Sequence, residues 1–201
     1  MEEVYAAVAS STAVRLFFAI VAVNDYECEQ YDVVAAFLNA KIPDGTAVYV
    51  QQPHGYEDGT DRVCRLNIAL YGLRKSPLRW FQTYRSALTK IGFKSLESEV
   101  CIFRHKDLDA YIIIYMDDMR ITAKTTSTIR SVAAGIGEAF DLQHLDTTDR
   151  FLGFTIRRDR ASHRIWLSQD VYAKKIIQKF GYENLKPADT PWPYKFSLPL
   201  T

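Results

Sequence analysis

Cysteine, histidine and net charge are all scarce in this chain: three cysteines, four histidines and a formal charge of +1 in 201 residues. Cys28, Cys64 and Cys101 lie far apart, with no Cys-x-x-Cys pair and no histidine at ligand spacing. That excludes a zinc site or a disulfide framework and points to a reduced, intracellular protein, cytoplasmic or nuclear. The most apolar segment, residues 16–23, is too short to span a bilayer and follows the acidic start Glu2 and Glu3. Neither a transmembrane helix nor a signal peptide, and so no membrane partner, is expected. Lysine plus arginine (25) nearly equals aspartate plus glutamate (24), so overall charge names no polyanionic partner.

Local charge is less even. Arg74, Lys75, Arg79, Arg85, Lys90 and Lys94 fall in a stretch, 74–94, without a single acid, and Arg150, Arg157, Arg158, Arg160 and Arg164 form a second cluster. The plain reading of either is a solvated helix or hairpin face. With 48% hydrophobic residues the chain can bury one good core, or one core with a small appendage.

Apolar periodicity and turn residues divide the chain. A core helix ends near Val23, with a cap among Ser10, Ser11 and Thr12 and an apolar face including Val14, Phe17, Phe18 and Val21. Strands are expected over 28–34, 48–51 and 62–70, with a short helix after Ala35 and a polar loop over 53–61. Ser76 before Pro77 has the form of a cap and first helical residue, opening a helix that stops at Gly92. Its aromatic residues recur at helical spacing and read mostly as core. A helix capped within 125–127 carries Ile129, Val132, Ile136 and Phe140 on one face. Two hairpins are expected, over 111–122 and over 150–167, followed by a last helix capped by Ser168 and a tail with four of the seven prolines. No internal repeat or low-complexity tract is present.

The hairpin YIIIYMDDMRIT brings two adjacent aspartates, Asp117 and Asp118, to its tip. Their repulsion calls for water on an exposed turn, the commoner fate of a turn aspartate, or for a hard divalent cation with oxygen ligands. Asp32 stands inside the apolar run of an earlier strand, where an aspartate is costly unless paired, hydrogen-bonded or bound to metal, and is the candidate third carboxylate.

Four segments then occur in order: QYDVVAAFLNA, LYGLRKSPLRWF, YMDD, and FLGFTI followed by RIWLSQ. Together they resemble the reverse transcriptase of copia-type long-terminal-repeat retrotransposons, nearly end to end. The resemblance implies an α+β fold: a palm-like antiparallel sheet packed on helices, with partial fingers and the start of a thumb. Residues 1–167 would form the palm with partial fingers insertions and the primer-gripping hairpin 150–167, and residues 168–201 the thumb-like helix and extended tail. It also implies RNA- or DNA-templated nucleotidyl transfer with two Mg²⁺ or Mn²⁺ ions about 4 Å apart. Asp32 and Asp117 would be the bridging ligands, with Asp118 completing or tuning the site.

By the same resemblance Phe37 is the steric gate against a ribose 2′-hydroxyl. Tyr71 and Gly72 lie against the incoming deoxynucleotide and template base, and Tyr115 and Met116 belong with them on the substrate. Arg74, Lys75 and Arg79 face phosphates, and Phe151, Leu152 and Gly153 position the primer end. Three departures stand out: Arg120 replaces a usual aliphatic residue, Ala7 a usual proline, and the basic fingers hairpin and full thumb are expected to be missing. Those departures leave a second reading open, an inactive retroelement-derived module that binds nucleic acid or protein, including a second copy of itself through surfaces left bare.

Overall fold

The computed structural model describes residues 6–146 and 149–185. The first helix, α1 (Ser11–Val23), begins where Ser10 is extended and its hydroxyl oxygen accepts the Ala13 N–H at 3.0 Å. Val14, Phe17, Phe18 and Val21 are buried along one side, as their spacing requires. Strand β1 (Glu27–Val33) follows, then a left-handed turn at Ala35 and a 3₁₀ turn, Ala36–Asn39. The strands expected near 50 and 65 shrink to a two-residue ladder, β2 (Tyr49–Val50) and β3 (Cys64–Arg65), which among the described residues joins no other strand.

Helix α2 (Ser76–Lys90) leads to β4 (Lys94–Ser95), β5 (Ile102–His105), β6 (Ala110–Tyr115) and β7 (Asp118–Ala123). Helix α3 (Thr126–Gly137) is capped by Thr125, whose side chain accepts the Thr128 N–H, and buries Ile129, Val132 and Ile136 as its periodicity demands. Next come β8 (Leu142–Leu145), β9 (Arg150–Phe151), β10 (Phe154–Asp159), β11 (Arg164–Ser168) and α4 (Asp170–Lys179). Gln169, not Ser168, precedes α4, and the Ser168 hydroxyl instead donates to Asp170 at 2.6 Å. The expected proline-rich tail lies outside the described residues.

The main sheet is antiparallel throughout, in the order β4-β5-β6-β7-β1-β8, and a smaller sheet runs β11-β10-β9. Side chains alternate between faces of the main sheet. Met119, Ile121 and Tyr31 face α2 and α3, where Trp80 stacks on Tyr84 at 5.2 Å and both meet the Phe140 ring. Asp32, Gln30, Asp118 and Arg120 face the other way, toward α1 and the smaller sheet. This mixed, layered architecture is the expected α+β, reverse-transcriptase-like domain. Among the described residues no helix is long and apolar enough to cross a membrane.

Candidate active site

Tyr115 pairs with Asp118, so the loop between β6 and β7 is only Met116 and Asp117. Met116 takes φ 59°, the left-handed region that a β-carbon disfavours. Such strain persists only where the surroundings hold it. The buried Trp80 indole N–H donates to the Met116 carbonyl at 2.7 Å, and the Val33 N–H donates to the Asp117 carbonyl at 3.0 Å. Helix α2 and strand β1 therefore grip the aspartate loop from two sides.

The register of β1 against β7 sets Asp32 directly opposite Asp118, with Asp117 at the adjoining loop position. All three side chains are half-buried. The Asp32 carboxyl is pushed above the ordinary range, mostly by burial and then by the charges of Asp117 and Asp118. Asp118 is also raised by burial, partly offset by a 3.4 Å hydrogen bond from Gln30. The donor chemistry, carboxylate oxygens that repel one another, fits a hard cation. Among the described residues, no three aspartate, glutamate, histidine or cysteine side chains stand already arranged to hold a metal ion. Backbone register nonetheless brings Asp32 and Asp118 opposite one another, with Asp117 next to them.

Phe37, on the 3₁₀ turn, and the exposed Tyr71 meet with ring centroids 4.6 Å apart, so two residues distant in sequence form one aromatic wall. Gly72, at φ 93° in the exposed turn after Leu70, has the conformation that favours glycine. Ser76 does not cap α2 as expected: Lys75 holds that position, and the Ser76 hydroxyl donates to the Leu70 carbonyl at 2.7 Å and accepts the Leu70 N–H at 3.2 Å. It thereby closes the loop that presents Tyr71. Arg74 is exposed and Lys75 half-buried at this loop. Arg79, one helical turn beyond Lys75, lines a groove of about 550 Å³ with Lys41, Lys90 and Phe140.

A cavity of about 310 Å³ opens beside Asp118. Gln30 forms its floor with Asp118, the hairpin from Arg150 to Thr155 one wall, and Val171, Tyr172 and Lys175 of α4 the other. Leu152 (φ 49°) and Gly153 (φ 80°) make the two-residue turn between β9 and β10, the pattern that follows the twist of the flanking strands. Phe151, expected along the primer, turns inward instead. It is 2% exposed and packs on Phe18 and the Arg120 guanidinium, so its ring anchors the hairpin rather than offering a surface. Two arginines of the second cluster are tied to the protein itself. Arg158 donates to the Tyr26 carbonyl at 2.7 Å and pairs with Asp25 at 2.5 Å, and Arg160 pairs with Glu27. Gln30 was missed in the sequence, although it lies two residues before Asp32 and so on the same strand face. Tyr172 and Lys175 had no signal beyond helical spacing.

Acidic residues thus lie on adjacent strands of the antiparallel sheet, flanked by a hairpin and a helix. The family model described as reverse transcriptase (RNA-dependent DNA polymerase) matches residues 1–193. Among individual relatives, the chain is 32% identical over 195 residues to a retrovirus-related Pol polyprotein from transposon TNT 1-94 of Nicotiana tabacum, covering 94% of this chain and 14% of that protein. It is 29% identical over 194 residues to that from transposon RE2 of Arabidopsis thaliana, covering 94% of this chain and 13% of the relative. A putative transposon Ty5-1 protein of Saccharomyces cerevisiae is 30% identical over 164 residues, covering 80% of this chain and 52% of the relative. The chain belongs to the reverse transcriptase family, as a domain of the kind found in the Pol polyproteins of copia-type retrotransposons. It spans only about one seventh of the length of the plant relatives it matches.

Proposed function

We propose that this domain carries out templated nucleotidyl transfer, adding deoxynucleotides to the 3′ end of a primer on an RNA or DNA template. The observation that supports it most is the register that puts Asp32 opposite Asp118 beside a loop aspartate gripped by Trp80 and Val33. Asp32 and Asp117, with Asp118 completing the set, would hold two Mg²⁺ or Mn²⁺ ions. When bound, such a pair lowers the pKa of the primer hydroxyl and neutralises charge on the leaving pyrophosphate.

The chain's own residues do the rest. The grip on the Met116–Asp117 loop fixes the backbone from which the carboxylates project, so alignment is set before substrate arrives. Phe37, braced by Tyr71, closes the sugar side of the nucleotide site and disfavours a 2′-hydroxyl. Tyr115, Met116 and Gly72 border the same space. The primer end lies in the cavity between Asp118 and the Leu152–Gly153 turn, with Arg150 and Lys175 at its margin to meet backbone phosphates. Arg74 and Lys75 serve the triphosphate or template, and Arg79 a more distant phosphate.

Primer extension with Mg²⁺ or Mn²⁺, run beside the Asp117→Asn variant, tests this reading. Incorporation by the wild type alone supports it. Equal incorporation by both, or none by either, overturns it, and duplex binding at low salt without incorporation favours a nucleic-acid-binding module instead.

A further inference from the structure

One polar side chain is buried in the core without a place in the reaction just described. Arg120 is 1% exposed, two residues beyond Asp118 on the same strand face. Its guanidinium carbon lies 5.4 and 5.2 Å from the centroids of the Phe18 and Phe151 rings, which themselves meet edge to face 6.4 Å apart. Nη2 donates both to the Gln30 side-chain oxygen at 2.8 Å and to the Arg150 carbonyl at 2.9 Å. Gln30, itself 7% exposed, turns its amide nitrogen to an Asp118 carboxylate oxygen at 3.4 Å. One continuous path therefore runs from the backbone of the hairpin, through Arg120 and Gln30, to an acid of the proposed metal centre.

We propose that Arg120 and Gln30 are positioning residues that couple the 150–154 hairpin to the orientation of the Asp118 carboxylate. The guanidinium suits this task because one nitrogen can serve two fixed acceptors while the rest of the group packs against two aromatic rings. An aliphatic residue at this position would fill the same space but leave the Arg150 carbonyl and the Gln30 amide to find other partners. The hairpin wall and the carboxylate on the floor of the cavity are thereby held as one unit, and displacement of either is transmitted to the other. The inference rests on the metal-centre reading for its function, but the coupling itself is a property of the ion-free protein.

The test uses the full chain and the variants Arg120→Met, Arg120→Lys and Gln30→Met, with folding checked by circular dichroism. Methionine is unbranched, close to arginine in length and adaptable in packing, so Arg120→Met is expected to fold. If it does not, Arg120→Lys takes its place, since its ammonium ends about one bond short of the Nη2 position and keeps no flat group against Phe18 and Phe151. Two readouts need no metal: hydrogen exchange of the backbone amides of residues 151–155, and NMR exchange of the Gln30 side-chain amide. A third is Mn²⁺ affinity.

In Arg120→Met both exchange rates are expected to rise about tenfold, and Mn²⁺ binding to weaken about tenfold, as for other groups that orient metal ligands. Gln30→Met is expected to weaken Mn²⁺ binding while leaving the hairpin amides near their wild-type rates, because Arg120 still holds Arg150. Faster hairpin exchange with an unchanged Gln30 amide and unchanged Mn²⁺ affinity would show Arg120 to be a packing residue only, overturning the proposal. If the wild type binds no Mn²⁺, the metal-centre reading fails. The coupling is then decided by the two exchange measurements: acceleration of both supports it, and no change in the Gln30 amide overturns it.

Discussion

Asp118 and Met119 are neighbours in β7, yet they look into opposite halves of the protein. On the Met119 side the sheet is sealed by Trp80, Tyr84, Phe140, Ile129 and Ile136, all buried and all apolar or aromatic. On the Asp118 side the same two strands carry Asp32, Gln30 and Arg120, and the cover is a small sheet held by arginines. One face supplies the rigidity and the other carries charges that oppose stability when no cation is bound. The difference teaches where each kind of residue gets its support: the strained Met116 loop is secured from the apolar side by Trp80, so that the acids can project from the other.

The most damaging way to break that division is Trp80→Ala. Removing a fully buried indole is expected to cost about 3–5 kcal/mol, read from denaturant unfolding, and to speed exchange at the Val33 amide that donates to the aspartate loop. A loss below about 1 kcal/mol would show that the loop does not depend on the apolar face.

A smaller effect is expected on the charged side from Arg158→Ala, which removes the bonds to the Tyr26 carbonyl and Asp25. With partial solvent screening the expected loss is about 1–2 kcal/mol, measured in the same way, with faster exchange in β10 and β11. Unchanged exchange there would show that the small sheet is held chiefly by its apolar contacts.

The smallest expected change is a gain. Ionised Asp32 is opposed by burial and by Asp117 and Asp118, so its raised pKa is a cost to the folded state at pH 7. The protonated carboxyl contributes stability that is fully present below the ordinary carboxylate range and is lost as pH rises through the raised value. Asp32→Asn is therefore expected to stabilise the metal-free protein at pH 7, by on the order of 0.5–1 kcal/mol. Paired melting curves should show the gain shrinking as pH is lowered through that range. A destabilised variant at pH 7 would contradict the electrostatic picture.

Much of this division is visible in the residues themselves. Helical spacing in α1 and α3 names the buried positions because a helix on a sheet must bury one continuous stripe. Period-two alternation puts Asp32 and Gln30 on one face of β1, and reading that period one step further would have found Gln30. Other features were hidden by competition between local and distant partners. Leu142–Leu145, reading LQHL, forms a strand only because it pairs with β1, and nothing in its own pattern announces an edge strand. RFLGFTIR reads as one strand until the Leu152–Gly153 turn folds it back. Ser76 and Ser168 have the chemistry of caps, but a nearby carbonyl and a nearby carboxylate claim their hydroxyls. Arg120 looks like an intruder in an apolar strand because its acceptors, Gln30 and Arg150, lie 90 and 30 residues away.

On the function proposed above, Asp32, Asp117 and Asp118 form one divalent-cation centre. Mn²⁺ titration of the wild type, Asp32→Asn and Asp117→Asn, followed by electron paramagnetic resonance with Mg²⁺ as competitor, tests it most directly. The expected result is wild-type binding that Mg²⁺ displaces and that either substitution weakens by about tenfold or more. Equal affinity in all three proteins, or no binding by the wild type, would contradict it.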